Sequence, residues 1–231
     1  MKSCTSQLAL ELRPPPRWGG RREGAGRKAG ARPRDPHRRR AAFPARFPCH
    51  LTLRVRRDLP SLRSRRLVTE LRRRLRAASE RRRFRLIHYS IQADHLHLIV
   101  EAANAQDLGR GMKSIGARVA RAVNRVFARR GPVLADRYHR RVLRTPREVR
   151  RALAYVLLNV RKHWRQRFGV APPVRLDEAS SGRWFDGWRG APAGNPHARA
   201  GPREVAGPRT WLLAAGWRRH GLIDPTELPG S

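Results

Sequence analysis

The stretch His50-Leu51-Thr52-Leu53-Arg54-Val55 alternates polar and apolar residues, the period-two pattern of a strand with one buried face. Pro60-Ser61 then reads as a helix start, and Leu62, Leu67, Leu71 and Leu75 recur near helical spacing towards Glu80. Residues 84–92 are rich in strand formers, and residues 95–101 form a second strand after the short Ala93-Asp94 break, so the two are expected to pair antiparallel. Residues 108–129 carry a buried helical stripe of Met112, Ile115, Val119, Val123 and Val126, ended by Gly131-Pro132. A short strand over 139–143 follows. Thr145-Pro146-Arg147-Glu148 then has the cap-then-proline signature of a helix carrying residues 149–163. The order β-α-β-β-α-β-α predicts an α+β fold, an antiparallel sheet with helices on one face.

This pattern covers only part of the chain. Residues 1–42 hold Pro14-Pro15-Pro16, Gly19-Gly20 and Arg38-Arg39-Arg40, a mixture that cannot bury a core and reads as a flexible, disordered basic arm suited to gathering nucleic acid. The folded domain is expected over residues 43–165. From about residue 166 proline and glycine recur and Trp184, Trp188, Trp211 and Trp217 concentrate, so residues 166–231 form an appended extension with one short helix near 210–218. Its tryptophans are expected to pin that extension to the domain, with stacking on unpaired bases the competing role.

Charge narrows the partner. The 231 residues carry a formal net charge of +36, from 53 lysines and arginines against 17 acidic residues. Such self-repulsion is relieved by an anionic polymer, whose counterions are released on binding, so nucleic acid is the expected partner. Lysine stands only at positions 2, 28, 113 and 162; the remaining basic residues are arginine, which contacts phosphate and guanine bidentately. Cys4 and Cys49 fit neither a zinc cluster nor a disulfide framework, which suits a reducing cytoplasm; with nucleic acid as the partner, the expected location there is nucleoid-associated. No apolar run approaches a membrane span and no signal-type core opens the chain, so no membrane partner is expected.

The candidate chemistry lies in two short motifs. In His95-Leu96-His97, strand geometry points both imidazoles to one face and Leu96 into the core, giving two adjacent metal donors. In Tyr155-Val156-Leu157-Leu158-Asn159, the i, i+4 spacing puts a phenol and a carboxamide on one helical face of an otherwise apolar stretch. Gln92 and Asp94 flank the histidines, and Asp94 is placed to orient an imidazole. Arg137, Arg161 and Lys162 are candidate DNA contacts, whereas Tyr138 reads as structural and His88 as a core residue.

Taken together, these residues resemble the IS200-like, Y1 (HUH-type) tyrosine transposases, in particular the branch associated with repetitive extragenic palindromes. The resemblance runs from about Pro48 to His163. It passes through Ala93-Asp94-His95-Leu96-His97-Leu98-Ile99-Val100 and Gly131-Pro132-Val133-Leu134-Ala135-Asp136-Arg137-Tyr138, and ends in the Tyr155–Asn159 motif. It implies a ferredoxin-like core, with His95 and His97 as metal ligands, Tyr155 as nucleophile and Asn159 as a third ligand or an organiser of the site. It further implies Mg2+ or Mn2+, single-stranded or hairpin DNA as substrate, strand transfer through a covalent 5′-phosphotyrosine, and a monomer or homodimer. Relatives often have proline after this asparagine; here Val160 stands instead. The competing reading is a non-catalytic, arginine-rich nucleic-acid-binding protein derived from a transposase, for which His95, His97 and Tyr155 would be unnecessary.

Overall fold

The computed structural model describes residues 43–81, 83–170, 172, 175–190 and 201–230, all within one compact unit spanning residues 35–231. The basic arm of residues 1–42 lies outside the described residues. The elements are β1 (Cys49–Arg54), α1 (Arg65–Arg76), β2 (Glu80–Arg81), β3 (Phe84–Ile91), β4 (His95–Ala102), α2 (Ala105–Val126), β5 (His139–Val142), α3 (Pro146–Phe168) and the one-turn α4 (Trp211–Ala214). The sheet runs β2-β3-β4-β1-β5 with every neighbouring pair antiparallel. Apart from the two-residue β2, this is the strand order of a ferredoxin-like fold, and α1 and α2 pack side by side on one face of it.

Alternation along the strands separates the two faces. Leu51, Leu53, Leu96, Leu98 and Val100 join Leu67, Leu71 and Leu75 of α1 and Met112, Ile115 and Val119 of α2 in one apolar core. Each such side chain contributes roughly 1.5–3 kcal/mol by leaving water. α2 lies close against the sheet because Gly111 faces the ring of Phe84, which a Cβ would meet at 2.3 Å.

The expectation that the helices share one face holds for α1 and α2 and fails for α3. Val149, Leu153, Val156 and Leu157 of α3 cluster with Ile87 and Ile99 on the opposite face. The cause is amphipathicity in the sheet itself: Ile99 and the outward side of β3 also need cover, and α3 supplies an apolar stripe for them.

The ends of elements shift for local reasons. α1 starts only at Arg65, after Ser64, because the Leu62 N–H is taken by the Ala93 carbonyl at 2.8 Å and the segment before it is tied to the β3–β4 turn. α3 begins where its capping box predicts: the Thr145 hydroxyl accepts from the Glu148 N–H at 3.2 Å and Glu148 accepts from the Thr145 N–H at 3.1 Å. It runs past His163 to Phe168 and stops at Gly169, whose φ of 72° favours glycine.

Described residues after 175 wrap onto both faces. Leu212, Leu213, Trp217 and Ile223 complete the core under α3, while Ala179 and Val205 join the α1–α2 side. Glu101 of β4, buried, accepts from the N–H groups of Arg209 and Thr210 and from the Thr210 hydroxyl. Trp217 is 1 % exposed and Trp188 half-buried, both packed inward, whereas Trp211 remains 52 % exposed. The expected helix over 210–218 is instead α4 followed by a 3-10 turn, Gly216–His220.

Candidate active site

β1, β4 and α3 converge on a cleft of about 810 Å3. β4 pairs with β1 so that Thr52 lies opposite His97 and Arg54 opposite His95. Since alternate residues share a face, His50, Thr52 and Arg54 of β1 stand beside His95 and His97, and all five line the cleft with Tyr155 of α3.

The three histidines form a chain. The Nε2 atoms of His95 and His97 face each other at 3.0 Å. His95 Nδ1 lies 2.6 Å from Asp94 Oδ1, and His97 Nδ1 lies 3.1 Å from His50 Nε2 and 3.3 Å from Thr52 Oγ1. The Tyr155 ring stands edge-on to His97 at 5.0 Å and to His50 at 5.7 Å, and Lys162 Nζ is 5.6 Å from its centre.

Burial sets the charge state of this cluster. Desolvation, with the cations around it, pushes His97 down to about 2 and His50 to about 4, so both imidazoles are neutral at physiological pH. Burial opposes ionisation of Asp94, but its hydrogen bond and charge interaction with His95 outweigh that and hold it below the usual carboxylate range. Tyr155 is raised above an ordinary phenol by burial, against a smaller opposing pull from Arg54. A neutral phenol therefore stands beside two neutral imidazoles.

Metal–imidazole bonds of about 2.1 Å, set at a right angle, place two nitrogens about 3.0 Å apart. The facing Nε2 atoms have that spacing. Among the described residues no three His, Cys, Asp or Glu side chains surround a common point, so an ion held by this pair would draw its other ligands from amide, phosphate or water oxygens. Asn159, one turn beyond Tyr155, is fully buried with neither amide atom hydrogen-bonded, and it is not part of the cleft wall.

The remaining walls are basic. Arg54, Arg141, Arg150, Arg151 and His163 line the cleft, with Glu148 and Glu227 as its carboxylates. Arg150 is held by Glu227 at 2.5 and 2.8 Å and by the Leu222 carbonyl at 3.1 Å.

Residues 46–139 match the family model of IS200-like transposases. The likeness to IS200-like transposases is confined to this segment, less than half of the chain. The matched segment contains β1, β4 and both cleft histidines and ends before α3, so Tyr155 and Asn159 lie beyond it. A solved structure of a REP-associated tyrosine transposase bound to a REP hairpin is similar at 17 % identity and a TM-score of 0.44, over 56 % of this chain and 74 % of that one. No curated protein matches. The members of this family are DNA-processing enzymes, and no helix among the described residues is long and apolar enough to cross a membrane.

Other candidate residues are placed as follows. Gln92 is buried and donates to Ser90 Oγ at 2.5 Å, away from the cleft wall. Arg137 is exposed in the turn before β5. Arg161, expected to meet DNA, is 4 % exposed and donates to the Thr226 carbonyl at 3.0 Å, so the C-terminal segment claims its guanidinium. Tyr138 packs against the α1–α2 core, on the other side of the sheet from the histidines. His88 is buried, with Nδ1 3.0 Å from Ser181 Oγ and its ring against Phe185.

Sequence reasoning overlooked His50, Thr52 and Arg54 as site residues. The signal was present: they are the polar half of the β1 alternation, on the face that pairs with His95 and His97.

Proposed function

We propose that this chain is an IS200-like transposase that cuts and rejoins single-stranded DNA through Tyr155, with a divalent cation, Mg2+ or Mn2+, held by His95 and His97. The observation that carries this reading is the meeting of the paired Nε2 atoms and the Tyr155 phenol in one arginine-lined cleft. Asn159 is the candidate third donor in this reading: among the described residues its buried carboxamide has no hydrogen-bond partner to offset its desolvation, although it stands behind the cleft wall and not in it. When bound, the ion supplies Lewis-acid polarisation of the scissile phosphate.

The chain's own residues do the rest. Arg54, Arg141 and Arg151 draw the phosphate backbone into the cleft, and the charge of Arg54 favours the anionic form of the phenol. An ordinary phenol has a pKa of about 10, and burial raises this one further, so Tyr155 attacks only as its proton departs. Its Oη then bonds to phosphorus while the phosphorus–O3′ bond breaks and the leaving oxygen takes a proton. The resulting 5′-phosphotyrosine keeps the phosphoester bond, so a second 3′-hydroxyl reverses the step and joins a new strand without ATP.

Hairpin-bearing single strands, as expected for the REP-associated branch, are the proposed substrate. The test is incubation of 5′- and 3′-labelled hairpin DNA with the protein and Mn2+, followed by denaturing electrophoresis. A label-bearing protein band and a free 3′-hydroxyl fragment are expected. Strand scission with no protein-linked label would instead mean that water attacks, and tight binding with neither product would mean that the cleft only binds.

A further inference from the structure

His97 uses its two ring nitrogens in opposite directions. Nε2 faces His95 Nε2 at 3.0 Å, and Nδ1 faces His50 Nε2 at 3.1 Å and Thr52 Oγ1 at 3.3 Å. A neutral imidazole carries one proton, so only one of these directions can be a donor at a time. His95 is oriented from the other side: its Nδ1 lies 2.6 Å from Asp94 Oδ1, which accepts from Nδ1–H, so that in the neutral ring Nε2 is the bare nitrogen.

With Nε2 of His95 bare and 3.0 Å away, the resting arrangement has His97 donating its Nε2–H to His95. His97 Nδ1 is then bare and accepts from His50 Nε2–H. Each of the three contacts along Asp94–His95–His97–His50 then has one donor and one acceptor, but the pair offers no second open nitrogen to an ion. To ligate through Nε2, His97 must carry its proton on Nδ1. That proton needs an acceptor, and His50 Nε2 is one only if the His50 proton has moved to its own Nδ1.

We propose that His50 is the positioning residue of the metal site: it and His97 exchange tautomers together when the ion binds, so that His50 Nε2 turns from donor to acceptor. This rests on the metal reading given above. The change balances, because each ring keeps one proton and none is gained or lost. Thr52 Oγ1, 3.3 Å from the same nitrogen, is the auxiliary acceptor. His50 itself is not a ligand, since its Nε2 is directed at His97 rather than at the space between the two Nε2 atoms. The asymmetry is chemical: His95 is backed by a carboxylate and His97 by a neutral ring, so His97 is the weaker donor and the one whose loading depends on its neighbour. Partners of this kind typically change metal affinity by about 10–100-fold.

The test measures Mn2+ affinity by electron paramagnetic resonance on the full chain without DNA, and reads ring tautomers by 15N NMR on Mg2+ titration. His50→Phe is expected to weaken Mn2+ binding about 10–100-fold. His50→Gln, whose carboxamide oxygen can accept from His97, should recover most of it, and Thr52→Val should cost less than His50→Phe. In the unmodified chain, Mg2+ should move the His97 proton from Nε2 to Nδ1 and the His50 proton from Nε2 to Nδ1. Unchanged Mn2+ affinity in folded His50→Phe, or a His97 tautomer unaltered by Mg2+ that is bound, overturns the role of His50 alone. Absence of Mn2+ binding that His95→Ala abolishes would instead overturn the metal reading, and this inference with it.

Discussion

The two faces of one sheet are built from the same strands and do opposite work. On the α1–α2 face, β1 and β4 present Leu51, Leu53, Leu96, Leu98 and Val100, packed without a titratable histidine. On the α3 face the intervening residues are His50, Thr52, Arg54, His95 and His97, which line a cleft. A register slip of one residue would exchange the two sets, so the apolar face does more than stabilise: it holds the polar residues in place. The fold thus keeps its stability on one side of the sheet and its chemistry on the other, one residue apart along the chain.

That division is broken most sharply by substituting neighbours. His97→Ala should lower cleavage of hairpin DNA by about a thousandfold, since metal assistance is worth several kcal/mol, with little change in melting temperature. Leu98→Ala, the next residue, should cost about 2–5 kcal/mol of stability while leaving cleavage by the protein that remains folded near normal. Urea unfolding and gel-based cleavage on both variants check the pair. A smaller effect of the same kind is expected at Gly111, where a Cβ would run into the Phe84 ring; Gly111→Ala should destabilise by about 1–3 kcal/mol through overpacking, read from the urea midpoint, again without a direct effect on the cleft.

Acid should select the other face. His50, His97 and His88 all lie on the α3 side, and burial depresses them, to about 4, about 2 and about 3 respectively. Their folded values lie below the unfolded value of about 6.5. The unfolded chain therefore takes up protons that the folded chain refuses, and the stability held at neutral pH is lost as pH falls below about 6.5 towards the folded values. In metal-free buffer the urea midpoint should drop between pH 7 and pH 4.5, and His88→Gln should flatten that dependence. A midpoint independent of pH over this range would contradict the burial of neutral histidines.

The smallest effect belongs to the rim. Arg141, 64 % exposed at its side chain, lines the cleft beside Glu148. Arg141→Ala should weaken single-stranded DNA binding only a few-fold and reduce the slope of log affinity against log salt by about 0.7, measured by fluorescence anisotropy across a salt series. An unchanged slope would place the DNA backbone elsewhere.

Much of this was legible before any coordinates. The β1 alternation, the β3–β4 hairpin, the α3 capping box and the convergence of His95 with His97 follow from local geometry, because period and cap chemistry act within a few residues. What was not legible depends on distant partners. Which face α3 covers turns on Ile87 and Ile99 needing apolar cover. The burial of Arg161 turns on a carbonyl of Thr226, far along the chain. His50 read as the solvent side of a strand: the alternation marks it as polar, but only the pairing of β1 with β4 brings that face against the His95–His97 pair. The hold of Glu101 on residues 209–210 is likewise invisible in either segment by itself.

The central claim is that Tyr155 makes the covalent bond to DNA. The direct measurement is peptide mapping by mass spectrometry of the adduct formed with hairpin DNA and Mn2+ after nuclease trimming and tryptic digestion. The account predicts a nucleotide mass on the peptide of residues 152–161, localised to Tyr155 and lost in Tyr155→Phe. An adduct localised to Tyr138, or one that survives Tyr155→Phe, would contradict it.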